Sequence, residues 1–414
     1  MSCRCLAVLF LLVAACTRNV ELLPDRDGAS VSDGGGSDAS DDAGVNDGSS
    51  QSSTDFASSC SGASMPVRVE SGGVEQCTGV ISASAHRYAL CLCSSLTINQ
   101  SLGTDAFDST GLTSGDQIGA AVGINGDLAS TSSLSLGGAL YVAGAGGAAL
   151  DDQTVLSESL HVAGPFSTNS GAATVGTDAY VAGDITGMLG VTGTLHVPQG
   201  ASVDPAVNAS TTVREPVTVL APCDCAPDRA DVGKAVAAAA QQNDNASIGI
   251  TPTRLVGNPA PLSLELSCGR FFLDGIDTLA DVTVKVHGRA SLAVQGDVAI
   301  RSSFTVVLDS GAELDLLVAG KIALTGGGTI GNKVAPSRVR IWSTADAILL
   351  DNAPVIGAVI HAPGAAVSAP QGVELYGSLL AQSLTIGGGI DVHYDRAILS
   401  SGVVCGAPAQ PAVH

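Results

Sequence analysis

The run His393-Tyr394-Asp395 near the C-terminus contains the residue types best suited to acid–base chemistry in this sequence. Residues two apart in a β-strand project from the same face, so the His393 imidazole and the Asp395 carboxylate would lie side by side. Such a pair is suited to proton transfer. The alternative, which we prefer, is that the run caps the last coil of a repetitive fold and closes its exposed end with polar groups.

Carboxylates close in sequence are a second sign of chemistry, because paired carboxylates cleave glycosidic bonds. Asp274 lies near Asp277 and Asp309 lies near Glu313, but both pairs fall at predicted turns. The sequence contains no Gly-x-Ser-x-Gly, P-loop, dinucleotide-binding or His-Glu-x-x-His motif. We therefore assign no catalytic residue, no metal site and no cofactor.

Cysteines are numerous, at 11 in the chain. Three of them precede residue 17, and an even number remains, which in an exported chain indicates disulfides. The two Cys-x-Cys pairs differ from the Cys-x2-Cys spacing that is usual for zinc. We predict staples at the open ends of the fold and leave the pairing open for the eight candidates, which are Cys60, Cys77, Cys91, Cys93, Cys223, Cys225, Cys268 and Cys405.

The N-terminus has the features of a secretory signal, with one positive charge at Arg4 and an apolar run over residues 6–14. That run is too short to span a membrane. The run leads into Leu-Val-Ala-Ala-Cys at residues 12–16, which resembles the bacterial lipobox. The resemblance implies cleavage after residue 15 and acyl chains on Cys16 that anchor the protein in a lipid bilayer. Thr17 stands where an Asp would favour the inner membrane, so the sorting rules imply the outer membrane.

An acidic linker follows the predicted anchor. Residues 16–59 include a stretch rich in Asp, Ser and Gly that has almost nothing apolar to bury, and we expect it to be disordered. Its aspartates lack the ligand spacing of an EF-hand loop, so a solvated spacer is favoured over a calcium site. The formal net charge of −21 argues against nucleic acid as a partner.

An internal repeat dominates the body of the chain. Short apolar runs that are mostly closed by glycine recur with their central valines spaced by 20, 19 and 16 residues, at Val142, Val162, Val181 and Val197. Aromatic residues precede these valines at equivalent positions and could form a ladder on one outer face, as a binding stripe or as solvated side chains; they are Tyr141, His161, Tyr180 and His196.

Short strands at these intervals, with few aromatics and 51 glycines, predict an all-β fold, a parallel β-helix or β-solenoid. A β-sandwich is the main rival, but it would show more frequent hairpin turns. The only good helix candidate is the Ala-rich run at residues 230–242. We therefore predict a first solenoid stretch at 60–216, a helical insertion at 217–262, a second stretch at 263–405 and a flexible tail at 406–414.

The second stretch carries motifs that resemble a known family. Gly-x-x-Ile-His-Ala-Pro at 357–363, Tyr-Gly-Ser-Leu-Leu-Ala at 376–381 and His-Tyr-Asp-Arg-Ala-Ile at 393–398 resemble an uncharacterised exported repeat domain of bacterial lipoproteins and pilus-assembly-associated proteins. His361 and Ile398 are mild departures from its pattern, which commonly has Tyr and Leu there. The resemblance implies a right-handed β-helix with a structural role and no established catalytic residues.

Together these features predict a membrane-tethered surface or periplasmic lipoprotein with a structural, adhesive or envelope-assembly role and no catalysis. A polysaccharide-acting β-helix enzyme and a pilus-assembly partner are the alternatives. Polysaccharide and envelope or pilus proteins are the expected partners besides the lipid bilayer.

Overall fold

The strands of the chain wind into a parallel β-solenoid of about 13 turns, which confirms the predicted fold class. The computed structural model describes residues 68–111, 119–226 and 230–402. Within these residues, 30 strands belong to the solenoid and a separate two-stranded antiparallel hairpin precedes them. The predicted signal peptide, Cys16, the linker and the tail at 406–414 lie outside the described residues.

The first half of the described chain contains the hairpin, one helix and the first stretch of the solenoid, at residues 90–214. Its elements are β1 (Arg68–Ser71), β2 (Val74–Cys77), α1 (Thr78–Ala85), β3 (Leu90–Leu92), β4 (Leu96–Ile98), β5 (Leu102–Phe107), β6 (Val122–Ile124), β7 (Leu128–Ser130), β8 (Leu134–Leu136), β9 (Leu140–Val142), β10 (Ala148–Leu150), β11 (Thr154–Leu156), β12 (Leu160–Val162), β13 (Phe166–Val175), β14 (Ala179–Val181), β15 (Ile185–Val197) and β16 (Asn208–Arg214).

The second half contains a helix, three 3-10 turns and the second stretch of the solenoid, at residues 256–395. Its elements are α2 (Val232–Gln241), η1 (Asn245–Ile248), β17 (Val256–Asn258), β18 (Leu262–Leu266), β19 (Gly269–Leu273), β20 (Ile276–Thr278), β21 (Val282–Val286), β22 (Arg289–Val294), β23 (Val298–Ile300), β24 (Phe304–Leu308), β25 (Glu313–Val318), β26 (Ile322–Leu324), β27 (Thr329–Gly331), η2 (Pro336–Arg338), β28 (Val339–Ser343), β29 (Ala347–Leu350), β30 (Val355–Ala369), β31 (Val373–Ile386), β32 (Ile390–Asp395) and η3 (Arg396–Leu399).

Three strands make one coil of the second stretch, because most strands there pair with the third strand along the chain, as β18 does with β21 and β21 with β24. Side chains alternate across each strand, so those that point inward form ladders through the stacked coils. Val142, Val162 and Val181 lie opposite one another in β9, β12 and β14 and are fully buried. The repeat read from the sequence is therefore the inward ladder of one face.

The two stretches form one continuous solenoid, but their order along it is the reverse of their order in the chain. β32, the last strand of the second stretch, pairs with β31 on one side and with β5 of the first stretch on the other. β3 likewise pairs with both β31 and β6. We call this the junction: the end of the second stretch stacks on the beginning of the first.

The described residues between the two stretches, 215–226 and 230–255, therefore lead back along the rod, from β16 at one end to β17 at the other. This return segment follows one face of the rod, which we call the ladder face. Thirteen strands or parts of strands lie on it in order from the β17 end: β19, β22, β25, β28, residues 359–361 of β30, residues 379–381 of β31, β3, β6, β9, β12, β14, residues 195–197 of β15 and residues 211–214 of β16. Twelve strand spacings along this face correspond to roughly 58 Å. The predicted insertion is thus a strap along the rod.

Helix α2 lies within the return segment, where a helix was predicted. Asp231 caps its start by accepting a hydrogen bond from the Lys234 N–H at 2.8 Å. Val232, Val236 and Ala239 form its buried face. They join an apolar cluster with Phe272 and other side chains of the ladder face, so α2 covers the part of that face contributed by the second stretch.

Helix α1 was missed from sequence, because its run Thr-Gly-Val-Ile-Ser-Ala-Ser-Ala contains few strong helix formers. Packing accounts for it, since Ile81 joins the cluster beneath α2 and Ala85 packs beside Cys91 and Cys223. Residues 68–85, predicted as solenoid, instead cover its outside. Neither helix in the described ranges has the length and apolarity of a membrane span.

Gly377, in the Tyr-Gly-Ser-Leu motif, adopts a φ of +128°, and a Cβ there would lie 2.2 Å from the Ala358 carbonyl oxygen. We expect Gly377→Ala to lower the free energy of unfolding by about 1–3 kcal/mol, because both the backbone and the packing oppose a side chain. Urea denaturation measures the effect. Gly364→Ala is the matched control, since a Cβ at Gly364 meets nothing within 4 Å and that variant should unfold as the parent does.

Candidate functional site

The structure separates the three residues of the His-Tyr-Asp run. His393 is half-buried on the outer surface, whereas Tyr394 and Asp395 are buried. The Tyr394 hydroxyl donates to the His86 carbonyl at 2.8 Å, and burial is the main cause that raises its pKa, with Asp395 adding to it. Tyr394 therefore holds structure together and is not placed to transfer protons.

Asp395 joins three segments of the chain through buried hydrogen bonds. Its carboxylate accepts hydrogen bonds from the Ser109 N–H and hydroxyl, the Ser337 N–H and the Ala397 N–H, at 2.7 to 3.1 Å. His393 and Asp395 both lie in β32, but their side chains have different partners: His393 contacts Asp105, whereas Asp395 accepts hydrogen bonds from residues of three other segments. The preferred interpretation as a cap of an exposed end is wrong, since β32 is paired on both sides at the junction.

His393 instead meets a carboxylate from the first stretch. Its Nδ1 lies 2.8 Å from Asp105 Oδ1, and its Nε2 lies 3.7 Å from Glu374 Oε1. The Tyr376 ring stacks on the imidazole with 4.5 Å between ring centroids, and the Tyr376 hydroxyl donates to Glu374 at 2.7 Å. His393 is therefore held in a fixed position between two acidic side chains.

A polar groove of about 480 Å³ opens beside this pair. We call it the acidic groove, and it is lined by Gly103, Thr104, Asp105, Ser135, Leu136, Gly137, Ser157, Asp391, Val392 and His393. Its carboxylates come from both stretches, so it exists only where they stack. Sequence reasoning missed it because Asp105 and His393 are 288 residues apart.

Three of the four acidic residues noted in the sequence, Asp277, Asp309 and Glu313, contact basic side chains. Asp277 contacts Arg301, and Asp309 contacts His287 on the neighbouring coil. Glu313 is buried in β25 rather than exposed at a turn. Among the described residues, no three His, Cys, Asp or Glu side chains are arranged to hold a metal ion.

The predicted aromatic ladder is present on the ladder face. Tyr141, His161, Tyr180 and His196 stack in order, with centroid distances of 4.3, 4.7 and 4.3 Å and interplanar angles below 10°. The faces of His161 and Tyr180 are covered on both sides, so a sugar ring has no free face there on which to stack. The ladder is therefore a stabilising stripe.

Two parallel disulfides lock the return segment to the junction. Cys91 is bonded to Cys223 and Cys93 to Cys225, each across 132 residues. The expectation of staples at the open ends is wrong for these four, because β3 lies in the middle of the rod. Cys77 and Cys268 are disulfide-bonded as well, and Cys60 and Cys405 lie outside the described residues.

A buried histidine pair, His86 and His361, lies at the C-terminal end of α1, where His86 is the cap residue. The Ser378 hydroxyl donates to the Tyr88 carbonyl at 2.7 Å, so His86 Nδ1–H, at 3.0 Å, donates to Ser378 Oγ. His86 Nε2 then accepts from His361 Nδ1 at 3.3 Å. Ser378 is not an activated nucleophile, because His86 presents a proton to it rather than a lone pair.

Burial, and next the nearby His361, hold the pKa of His86 well below its usual value of 6.5. The unfolded chain therefore binds a proton that the folded chain excludes, and stability should fall as the pH drops below about 6.5, by at most about 1.4 kcal/mol per pH unit for this residue. Urea unfolding followed by circular dichroism measures this, because Trp342 lies 4.8 Å from His361 and its fluorescence would respond to the histidine pair directly.

His86→Asn should give a flatter pH profile of the free energy of unfolding between pH 7.5 and 5.5. His287→Asn provides the control, because His287 is an exposed histidine on the same rod. Equal slopes in the parent and His86→Asn would contradict the assignment.

Part of the chain matches a known family model. Residues 224–400 match the model of a domain of unknown function (DUF7305). The match spans α2 and the second stretch, including Glu374, Asp391 and His393, but it excludes the first stretch and Asp105. No curated protein and no solved structure matches the chain.

Proposed function

We propose that this protein is an exported lipoprotein, anchored in the outer membrane through acyl chains on Cys16, with a non-catalytic structural or adhesive role. In this proposal the signal peptide ends at residue 15. The acidic linker then holds a rigid β-solenoid away from the bilayer, where it meets polysaccharide or other envelope components.

The paired disulfides of the junction carry the proposal. Cys91, Cys93, Cys223 and Cys225 form two bonds, and disulfides persist in oxidising compartments outside the cytosol. A chain that requires such bonds is suited to export. The lipobox-like sequence before Cys16 supports attachment to a membrane after export.

Mass spectrometry of the membrane fraction tests the anchor. We expect a mature N-terminus at Cys16 that carries acyl chains. Cys16→Ser should move the protein out of the membrane fraction, whereas Cys5→Ser, within the signal peptide, should leave it there. An unmodified Cys16, or parent protein free in the medium, would overturn the anchoring.

A further substitution tests which membrane holds the protein. Thr17→Asp should shift the chain from the outer to the inner membrane fraction, in line with the sorting rules of lipoproteins. Thr17→Ser is the matched control and should not move. Parent protein in the inner membrane fraction would contradict the proposed location.

A further inference from the structure

The acidic groove is shaped to receive a ligand. Its volume of about 480 Å³ falls in the range of small-molecule sites, roughly 300–1,000 Å³. It lies on the outer surface of the solenoid, on the face formed by β31, β32, β5, β8 and β11. Asp391, Ser135 and Ser157 are exposed there, so the groove is open to a polymer as well as to a small molecule.

Two glycines make the groove concave. Gly103 lies between Asp391 and Ser135 in the register of neighbouring strands, and Gly137 follows Asp105 on the next coil. A Cβ at Gly103 would lie 2.5 Å from Asp391 Oδ1. The Asp391 carboxylate therefore lies across the floor of the groove, over the place where a side chain would otherwise stand.

The groove is preorganised on its other wall. Asp105 is fixed by the 2.8 Å contact with His393, whose ring is held by Tyr376 and Glu374. Preorganised groups lose little conformational entropy when a ligand binds. A hydrogen bond to a charged group is also stronger than one between neutral groups.

The groups in the groove select the chemistry of the ligand. Carboxylates of Asp105 and Asp391 accept hydrogen bonds, and the hydroxyls of Ser135 and Ser157 both donate and accept. A matching ligand supplies several donors and carries no negative charge, because acidic groups would be repelled at this distance. Vicinal hydroxyls of an uncharged sugar meet both conditions.

We propose that the acidic groove binds a segment of a neutral polysaccharide, whose hydroxyls donate to the carboxylates of Asp391 and Asp105. This inference rests on the proposed function and names the ligand of its adhesive role. Asp105, Gly137 and Ser157 follow one another on successive coils, so the saccharide lies along the axis of the rod. Binding then spans the junction of the two stretches.

Isothermal titration calorimetry on the full lipoprotein, in a detergent without sugar head groups, tests the proposal. The probes are neutral hexasaccharides (maltohexaose, cellohexaose and a mannan hexasaccharide), with an oligogalacturonate of equal length as the acidic comparison. We expect at least one neutral probe to bind and the oligogalacturonate not to bind. Binding of no neutral probe, or a preference for the oligogalacturonate, would overturn the proposal.

Three variants locate the binding. Asp391→Ala removes an acceptor and Gly103→Ala fills the floor, and each should weaken binding about tenfold or more. Asp346→Asn changes an exposed carboxylate in the turn between β28 and β29 and should bind as the parent does. Unchanged binding by both groove variants would overturn the site, provided that their urea unfolding matches that of the parent.

Saccharide binding and membrane anchoring are measured independently, by calorimetry and by mass spectrometry. Acylation of Cys16 is measured by mass spectrometry and does not depend on the groove, so either result can fail alone. Release of new reducing ends from a bound saccharide would overturn the non-catalytic role and make the groove the active site of a glycoside hydrolase.

Discussion

Replacing all four cysteines of the junction with alanine is expected to lower the free energy of unfolding by about 4–5 kcal/mol or more. The two bonds each close a loop across 132 residues, and they do so at nearly the same two points of the chain. A loop of that length has a large closure entropy in the unfolded chain. Losing both bonds therefore restores that freedom to the unfolded state.

Removing one bond should cost much less. With Cys91→Ala/Cys223→Ala, the Cys93–Cys225 bond still closes the large loop, and we expect a loss of about 1–2 kcal/mol. We expect the same loss for Cys93→Ala/Cys225→Ala, in which the Cys91–Cys223 bond still closes the loop. The free energies are thus strongly non-additive, because two bonds in parallel constrain the same loop.

Urea denaturation of the parent, the two single-bond variants and the quadruple variant measures these differences. Chemical reduction is a poorer test, because Cys77 and Cys268 are also disulfide-bonded. Cys91 and Cys223 are buried, whereas Cys93 and Cys225 are half-buried. Because both single-bond variants keep the loop closed, the difference between their free energies of unfolding reports the lost packing of the buried bond. A single-bond variant that costs as much as the quadruple variant would contradict loop closure as the main cause.

The solenoid could be predicted from sequence because every coil repeats the same requirement. Val142, Val162 and Val181 each fill the same inward position, and glycine-rich turns separate the short strands. A few coils are therefore enough to recognise the repeat in the sequence. Tyr141, His161, Tyr180 and His196 could be placed on one outer face for the same reason. The ladder and the inward valines are two sides of one local pattern.

The order of stacking could not be predicted, because the inward residues of all coils are alike. Nothing local in β5 or β32 states that they pair, although they are far apart in the chain. The acidic groove depends on that pairing, since Asp105 comes from β5 and His393 from β32. The residues of a site formed by such long-range stacking have no characteristic spacing in the sequence, so the site cannot be predicted from a motif.

The cysteines hold partial information about this order. The equal spacing of Cys91 to Cys93 and of Cys223 to Cys225 indicates two bonds in parallel once the pairing is known. Without it, eight candidates leave many connectivities open. The strap that the bonds fix is irregular between Glu215 and Pro222, so its path along the rod carries no repeat either.

Arg340→Met is expected to lower the free energy of unfolding by about 3–5 kcal/mol at pH 7. Arg340 is only 1% exposed, and it donates through Nε and Nη2 to both oxygens of Asp315 at 2.9 and 3.0 Å. Its Nη2 also contacts Glu313 Oε2 at 2.5 Å. Without the guanidinium, two carboxylates remain buried with their main counter-charge removed.

Neutral replacement of the whole group separates the charge from the packing. Glu313→Gln/Asp315→Asn/Arg340→Met removes all three charges at similar volume, and we expect it to recover most of the stability lost by Arg340→Met alone. Arg301→Met breaks an exposed ion pair with Asp277 and should cost less than about 1 kcal/mol. Circular dichroism is the suitable probe, because Trp342 donates to Asp315 and its fluorescence would change directly.

The pH dependence of the Arg340 variant tests the cause of its instability. Burial would raise the pKa of Glu313, but the charges of Arg340 and Arg289 outweigh burial and hold that pKa below its usual value. The ionised carboxylate therefore stabilises the parent above the unfolded pKa, and this contribution is lost as the pH falls through the folded pKa.

In Arg340→Met the effect of burial dominates, so the pKa of Glu313 rises. Acid then protonates a buried carboxylate that has lost its counter-charge, and this removes the source of the instability. The stability difference between the parent and Arg340→Met should thus be largest near pH 7 and should shrink below about pH 4. A difference that stays constant between pH 7 and pH 3.5 would mean that lost packing, rather than uncompensated charge, makes Arg340 necessary.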